Sequence, residues 1–91
     1  YQQALVRLGY PDTRIDREGN VIAELKGGDG PTVMLAGHLD TVFPEGIDAS
    51  VRRDGTRMDG IGIGDDCRGL AVVLAVAKTM KEQRLVPAGR I

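Results

Sequence analysis

The residues of this chain that could do chemistry are a histidine and three aspartates in two short segments. His38 is the only histidine and is followed by Leu39-Asp40, while Asp65 and Asp66 lie in a glycine-rich segment further along. In an extended chain, residues two apart point the same way, so Asp40 can accept a hydrogen bond from one imidazole nitrogen while the other binds a metal. His38 is therefore a candidate metal ligand. A surface histidine in a polar turn, with Asp40 capping the loop, is the alternative.

The second segment runs from Gly60 to Gly69 and carries glycine at alternating positions before Asp65 and Asp66. An aspartate at the start of a helix can serve simply as its cap, but one is enough for that. The repeated glycines indicate a backbone drawn close to another group or held in conformations that other residues avoid. A helix cap and a functional segment both remain open. Nucleotide binding is disfavoured, because its glycine fingerprint needs a hydrophobic strand directly before it and the preceding residues 52–57 are polar.

Two strands are expected before His38. Val21–Leu25 and Thr32–Gly37 are rich in β-branched and apolar residues and are separated by the glycine-rich loop 27–31. We expect them to pair, with the second strand buried on both faces. His38 would then lie just beyond the carboxyl end of a strand, where ligand-binding groups collect in α/β sheets.

The remaining elements are two helices and a hairpin. Ala4–Gly9 has the pattern of a helix closed by glycine, and Asp54-Gly55 is a hairpin turn between 50–52 and 56–58. The stretch 70–84 fits a helical period, with a buried first half and a solvated end. This order of elements predicts an α/β fold in which helices cover a sheet.

The composition excludes several classes of function. The chain has 91 residues, 42% of them hydrophobic and 27% charged, which suits one small globular domain or a piece of a larger one. A net charge of −1 without a basic cluster argues against nucleic-acid binding, and no apolar run approaches the ~20 residues that span a bilayer. The single cysteine, Cys67, excludes an intramolecular disulfide and agrees with a cytoplasmic location. We expect its thiol to be buried and structural, and we expect the natural protein to extend beyond both ends of this sequence.

The two motifs together resemble one family. An apolar strand ending in Gly37-His38-Leu39-Asp40-Thr41-Val42, followed by Gly60-x-Gly62-x-Gly64-Asp65-Asp66-x-x-Gly69 at the start of an alanine-rich helix, is similar to the dizinc metallopeptidases. These include peptidase T, glutamate carboxypeptidase, aminoacylase and succinyl-diaminopimelate desuccinylase. The resemblance covers roughly residues 19 to 85. It implies a zinc-exopeptidase-like sheet covered by helices, with residues 1–91 as the amino-terminal part of the catalytic domain and the lid or dimerisation domain absent.

The same resemblance implies roles for individual residues. His38 would bind one zinc ion, Asp40 would be the catalytic residue that orients the imidazole, and Asp65 would bridge both metals. The peptide bond after Asp65 would be cis. An alignment with a different anchor would choose Asp66 as the bridging ligand instead. The full-length chain would hold two zinc ions, for which cobalt or manganese could substitute.

The implied activity is hydrolysis of an amide bond in a peptide or an N-acyl amino acid by a water activated between two zinc ions. The general base, a glutamate about thirty residues beyond Asp65, would lie outside this chain, so the 91 residues alone should be inactive. The full-length protein would form a homodimer through the absent domain. Cys67 and Arg68 depart from the family pattern and leave the subfamily and the substrate open. A metal-free, non-catalytic or structural α/β module is the alternative function.

Overall fold

The computed structural model describes all 91 residues, Tyr1–Ile91, in two compact units. The terminal unit consists of Tyr1–Leu35 and Leu74–Ile91, and the central unit of Ala36–Val73. Two two-stranded antiparallel sheets and two helices make up the regular structure, which agrees with an α/β fragment. In chain order the elements are α1 (Gln2–Arg7), β1 (Arg14–Ile15), β2 (Val21–Ile22), β3 (Arg52–Asp54), β4 (Arg57–Asp59) and α2 (Arg68–Glu82). Neither helix is long and apolar enough to cross a membrane.

The core of the terminal unit is small and is built around Tyr10. Helix α1 ends as predicted before Gly9, whose φ of +93° is a left-handed conformation that glycine adopts without steric cost. Leu5 and Tyr10 are the buried apolar residues, and the buried Thr13 hydroxyl donates to the Tyr10 carbonyl at 2.6 Å. The Tyr10 hydroxyl donates to the Ala77 carbonyl of α2 at 2.9 Å. Tyr10 therefore joins the amino-terminal segment to the last turns of α2.

A polar turn at residues 16–20 connects β1 to β2. The Asp16 carboxylate accepts hydrogen bonds from the Glu18 and Asn20 backbone N–H groups at 3.0 and 2.9 Å and from the Asn20 side-chain amide at 3.0 Å. Gly19 supplies the left-handed conformation, with φ of +89°. One carboxylate therefore organises the whole turn.

These hydrogen bonds give the turn a pH dependence. Donation from Asn20, first from its side chain and then from its backbone, lowers the pKa of Asp16 below its ordinary value. A carboxyl whose folded pKa is lowered contributes stability above its unfolded pKa, and this contribution is lost as the pH falls through the folded value. We expect an NMR titration of the Asp16 carboxyl carbon to show a midpoint below the ordinary aspartate value of about 3.9. A midpoint at or above that value would contradict this assignment.

The predicted pairing of Val21–Leu25 with Thr32–Gly37 is wrong. Val21 and Ile22 pair instead with β1. Arg90 lies between Lys26 and Thr32, and so between the two segments that were expected to pair. Arg90 bridges Lys26 in antiparallel and Thr32 in parallel orientation, and Leu25 and Ile91 exchange backbone hydrogen bonds at 2.8 and 3.0 Å. The carboxyl-terminal segment occupies the backbone groups through which the two predicted strands would have paired.

The segment before His38 is therefore not a buried strand, which corrects the second expectation. Within residues 32–37, only Thr32 and Val33 make backbone contacts with Arg90, and no strand pairs on the other side. Met34 is 84% exposed, and Val33 and Leu35 are also exposed. Without a neighbouring strand on both sides, this apolar run has no faces to bury.

The second helix forms where it was predicted, and the hairpin forms with its turn at Gly55-Thr56, one residue later than the predicted Asp54-Gly55. Strands β3 and β4 pair in the register Arg53↔Met58, with Gly55 at φ of +56° in the turn. Helix α2 has the predicted period, but the expectation of a buried first half is wrong, because none of its residues is buried. Each sheet has only two short strands, and neither packs extensively against α2. Cys67 is exposed, so the expectation of a buried thiol is wrong as well.

Candidate metal centre

The two nitrogens of the His38 imidazole face the two aspartates that the sequence placed with it. Nε2 lies 2.8 Å from Oδ1 of Asp65, and Nδ1 lies 3.0 Å from the backbone oxygen of Asp40 and 3.5 Å from its Oδ1. All three residues belong to the central unit. The structure therefore brings His38, Asp40 and Asp65 together, although Asp65 is far from the other two in sequence.

Asp65 reaches the imidazole because of the irregular turn Ile63–Cys67 that precedes α2. This turn is of the wide π type and is closed by a hydrogen bond from the Cys67 N–H to the Gly62 carbonyl at 3.0 Å. Inside it, Asp65 (φ −139°, ψ 88°) and Asp66 (φ −129°, ψ 25°) leave the helical conformation. The Asp65–Asp66 peptide bond is cis, as the resemblance implied. Because the φ and ψ angles of both residues are non-helical, their carboxylates lie in different places instead of about 100° apart around a helix.

The carboxylate of Asp66 lies against the main chain of the histidine segment and does not face the ring. Its Oδ2 accepts a hydrogen bond from the His38 backbone N–H at 3.2 Å. The same oxygen would be 2.8 Å from a Cβ built on Gly37. Of the two aspartates that sequence alignment could not distinguish, Asp65 is therefore the one that shares the imidazole with Asp40.

The site is open to solvent and carries an excess of negative charge. The side chains of His38, Asp40 and Asp65 are 49%, 89% and 88% exposed. Hydrogen bonding to the Asp65 carboxylate, and secondarily to the Asp40 carbonyl, raises the pKa of His38 above its ordinary value. The arrangement thus favours a cation in contact with Nε2 and Oδ1.

The donors fit a zinc ion in type but form only part of a ligand set. Imidazole nitrogen and carboxylate oxygen are both zinc ligands, and here two of them converge. No group of three or more His, Cys, Asp or Glu side chains that could hold a metal occurs in the chain. A catalytic zinc uses three protein ligands and keeps one position open. By themselves these residues therefore supply two donors of the zinc type but not a complete ligand set.

Sequence reasoning did not identify what Asp66 contacts. Its hydrogen bond joins residues that are 28 positions apart, and no spacing rule links them. Gly37 and Gly69 could have indicated this contact, because glycine permits another group to approach the backbone closely.

Known proteins are similar to this chain over most of its length. The sequence profile of peptidase family M28 matches residues 20–91. Carboxypeptidase G2 of Pseudomonas sp. (strain RS-16) is 36% identical over 96% of this chain, and a putative succinyl-diaminopimelate desuccinylase of Mycobacterium tuberculosis is 38% identical over 88% of it. The chain spans 23% of the length of each of these relatives. The resemblance to metallopeptidases is confirmed, and the chain belongs to peptidase family M28.

Proposed function

We propose that this chain is part of the catalytic domain of a metal-dependent hydrolase that cleaves an amide bond in a peptide or an N-acyl amino acid. The observation that carries the proposal is the 2.8 Å approach of His38 Nε2 to Asp65 Oδ1, with Asp40 against Nδ1. The names of the relatives, a carboxypeptidase and a desuccinylase, support hydrolysis of this kind. Further support comes from the match to a peptidase family over most of the chain.

In this proposal each residue of the site has one task. His38 would hold a zinc ion through Nε2, and Asp65 would serve as a carboxylate ligand of the zinc pair, for which cobalt or manganese could substitute. Asp40 holds the imidazole by its other nitrogen, which fixes the tautomer and the ring plane and makes Nε2 a better donor. When bound, the metal pair supplies an activated water and polarises the scissile carbonyl. The orientation of Asp65 towards the ring supports its assignment over Asp66.

The rest of the active centre belongs to a longer protein in this proposal. The general base and the remaining ligands follow residue 91, in a zinc-exopeptidase-like sheet covered by helices, and a further domain forms a homodimer. The open side of the site, where Asp65 is 88% exposed, leaves room for those ligands and for substrate. The protein is cytoplasmic, and the 91 residues by themselves are inactive.

Removal and return of metal test the proposal. Chelation of the full-length protein should abolish hydrolysis of an N-acyl amino acid, and zinc, cobalt or manganese should restore it, with two zinc ions bound per chain. The readouts are metal content and initial rate before chelation, after it and after reconstitution. Hydrolysis that continues unchanged in the metal-free protein would refute the proposal. A folded protein that binds no zinc and has no activity would favour the structural module.

A further inference from the structure

The glycine-rich segment contains two acidic residues, Asp65 and Asp66. The proposed metal chemistry explains the contacts of Asp65 but not those of Asp66. Its neighbour Asp65 faces the imidazole, whereas Asp66 receives the His38 backbone N–H on Oδ2 at 3.2 Å. Asp66 is half-buried, whereas Asp65 is exposed. Two adjacent carboxylates therefore hold the same histidine in different ways, one through its ring and the other through its backbone.

The space around the Asp66 carboxylate is shaped by two glycines. A Cβ added to Gly69 would collide with Oδ1 and lie 2.7 Å from Cγ of Asp66. A Cβ added to Gly37 would lie 2.8 Å from Oδ2 of Asp66 and 3.2 Å from Cδ2 of Leu70. These distances are shorter than normal van der Waals contact, so a side chain at either position would displace the carboxylate. By contrast, a Cβ at Gly64 would meet nothing within 4 Å.

We propose that Asp66 is a positioning residue that anchors the backbone of His38 to the amino-terminal end of α2, with Gly37 and Gly69 leaving room for its carboxylate. The inference rests on the proposed function, because the geometry that Asp66 holds is that of the candidate ligands His38 and Asp65. The segment 34–40 has no strand pairing to fix its backbone. The hydrogen bond from the His38 N–H to Asp66 supplies that constraint from the element that also carries Asp65.

Zinc titration of the full-length protein, together with hydrogen exchange at the His38 amide, tests the inference. Loss of a group that orients a metal ligand weakens metal binding by about 10–100-fold, and we expect this for Asp66→Ala. Asp66→Asn should bind zinc nearly as well as the wild type, since its amide oxygen can still accept the His38 N–H. Hydrogen exchange of the His38 amide should be faster in Asp66→Ala than in Asp66→Asn.

A second pair of variants separates positioning from stability. Gly69→Ala places alanine inside α2, which favours the helix over glycine, but its methyl group displaces the Asp66 carboxylate. We expect its thermal midpoint to equal or exceed that of the wild type, while zinc binding weakens about 10-fold or more. Gly64→Ala is the matched control, since its methyl group enters open space, and it should leave zinc binding unchanged.

The outcomes distinguish this inference from the function on which it rests. If Asp66→Ala and Gly69→Ala bind zinc as the wild type does, the positioning role is refuted and the metal site stands. If the full-length wild-type protein binds no zinc, the proposed function is refuted. In that case faster exchange of the His38 amide in Asp66→Ala still supports the anchoring of His38, and unchanged exchange refutes it.

Discussion

Replacement of His38 by alanine in the full-length protein is expected to remove bound zinc and to lower kcat/KM for an N-acyl amino acid by about 10³-fold or more. Metal assistance contributes several kcal/mol to transition-state stabilisation, and each ~1.4 kcal/mol is a factor of ten in rate. His38 is the only histidine among these 91 residues, so none of them can supply a second imidazole. Metal content by atomic absorption and steady-state kinetics are the measurements.

Two further substitutions at the site are expected to reduce metal binding by different amounts. Asp65→Asn keeps the size of the side chain but removes its charge and one of its two carboxylate oxygens, so it should abolish binding of the metal pair as His38→Ala does. Asp40→Ala removes the carboxylate that lies 3.5 Å from Nδ1 but keeps the backbone carbonyl at 3.0 Å, so it should cost about 10-fold in metal affinity or activity, the lower end of the effect of losing an orienting group. Asp29→Asn, an exposed aspartate in the loop 27–31, is the matched control and should change neither. Wild-type zinc content in Asp65→Asn would contradict the bridging role.

The second large effect concerns stability. Tyr10→Ala is expected to lower the free energy of unfolding by about 3–5 kcal/mol, the usual cost of removing a buried aromatic ring. Tyr10 is only 6% exposed and is one of two buried apolar residues, so its loss empties much of the core of the terminal unit. The substitution also removes the hydrogen bond to Ala77 and the contact between the ring and Lys81, whose Nζ lies 4.5 Å from the ring centroid. Urea denaturation followed by circular dichroism measures the change.

Milder changes at the same place separate these contributions. Tyr10→Phe keeps the ring and removes the hydrogen bond, and it should cost about 1 kcal/mol. Val86→Ala truncates an exposed residue of the same unit and should stay within about 0.5 kcal/mol of the wild type. If Tyr10→Ala were no more destabilising than Val86→Ala, Tyr10 could not be the centre of this core.

Local signals in the sequence were sufficient for the elements that depend on neighbouring residues. The end of α1 before Gly9, the Asp16–Asn20 turn and the β3–β4 hairpin each depend on turn residues a few positions apart. The period of α2 was equally readable, because it reflects a repeat along one helix. His38 and Asp40 could be placed together for the same reason, since two residues in extended chain share a side.

What only the tertiary structure decided involves residues that are distant in sequence. Arg90 lies between Lys26 and Thr32, so the predicted strand pair does not form. Strands pair through backbone groups, and the side-chain pattern does not show which segments will be partners. The exposure of α2 followed from the small size of both sheets, which a helical period cannot reveal.

The candidate metal site was likewise predictable in part from the sequence and decided in part by the tertiary structure. The sequence by itself determined the residue types and the pairing of His38 with Asp40, and its motifs indicated a metallopeptidase, while the roles as metal ligands stay predictions. The approach of Asp65 to Nε2 and of Asp66 to the His38 backbone spans 27 and 28 positions and depends on the turn before α2. The physical reason is that spacing constrains only side chains on one continuous element, whereas contacts between elements depend on how the chain folds.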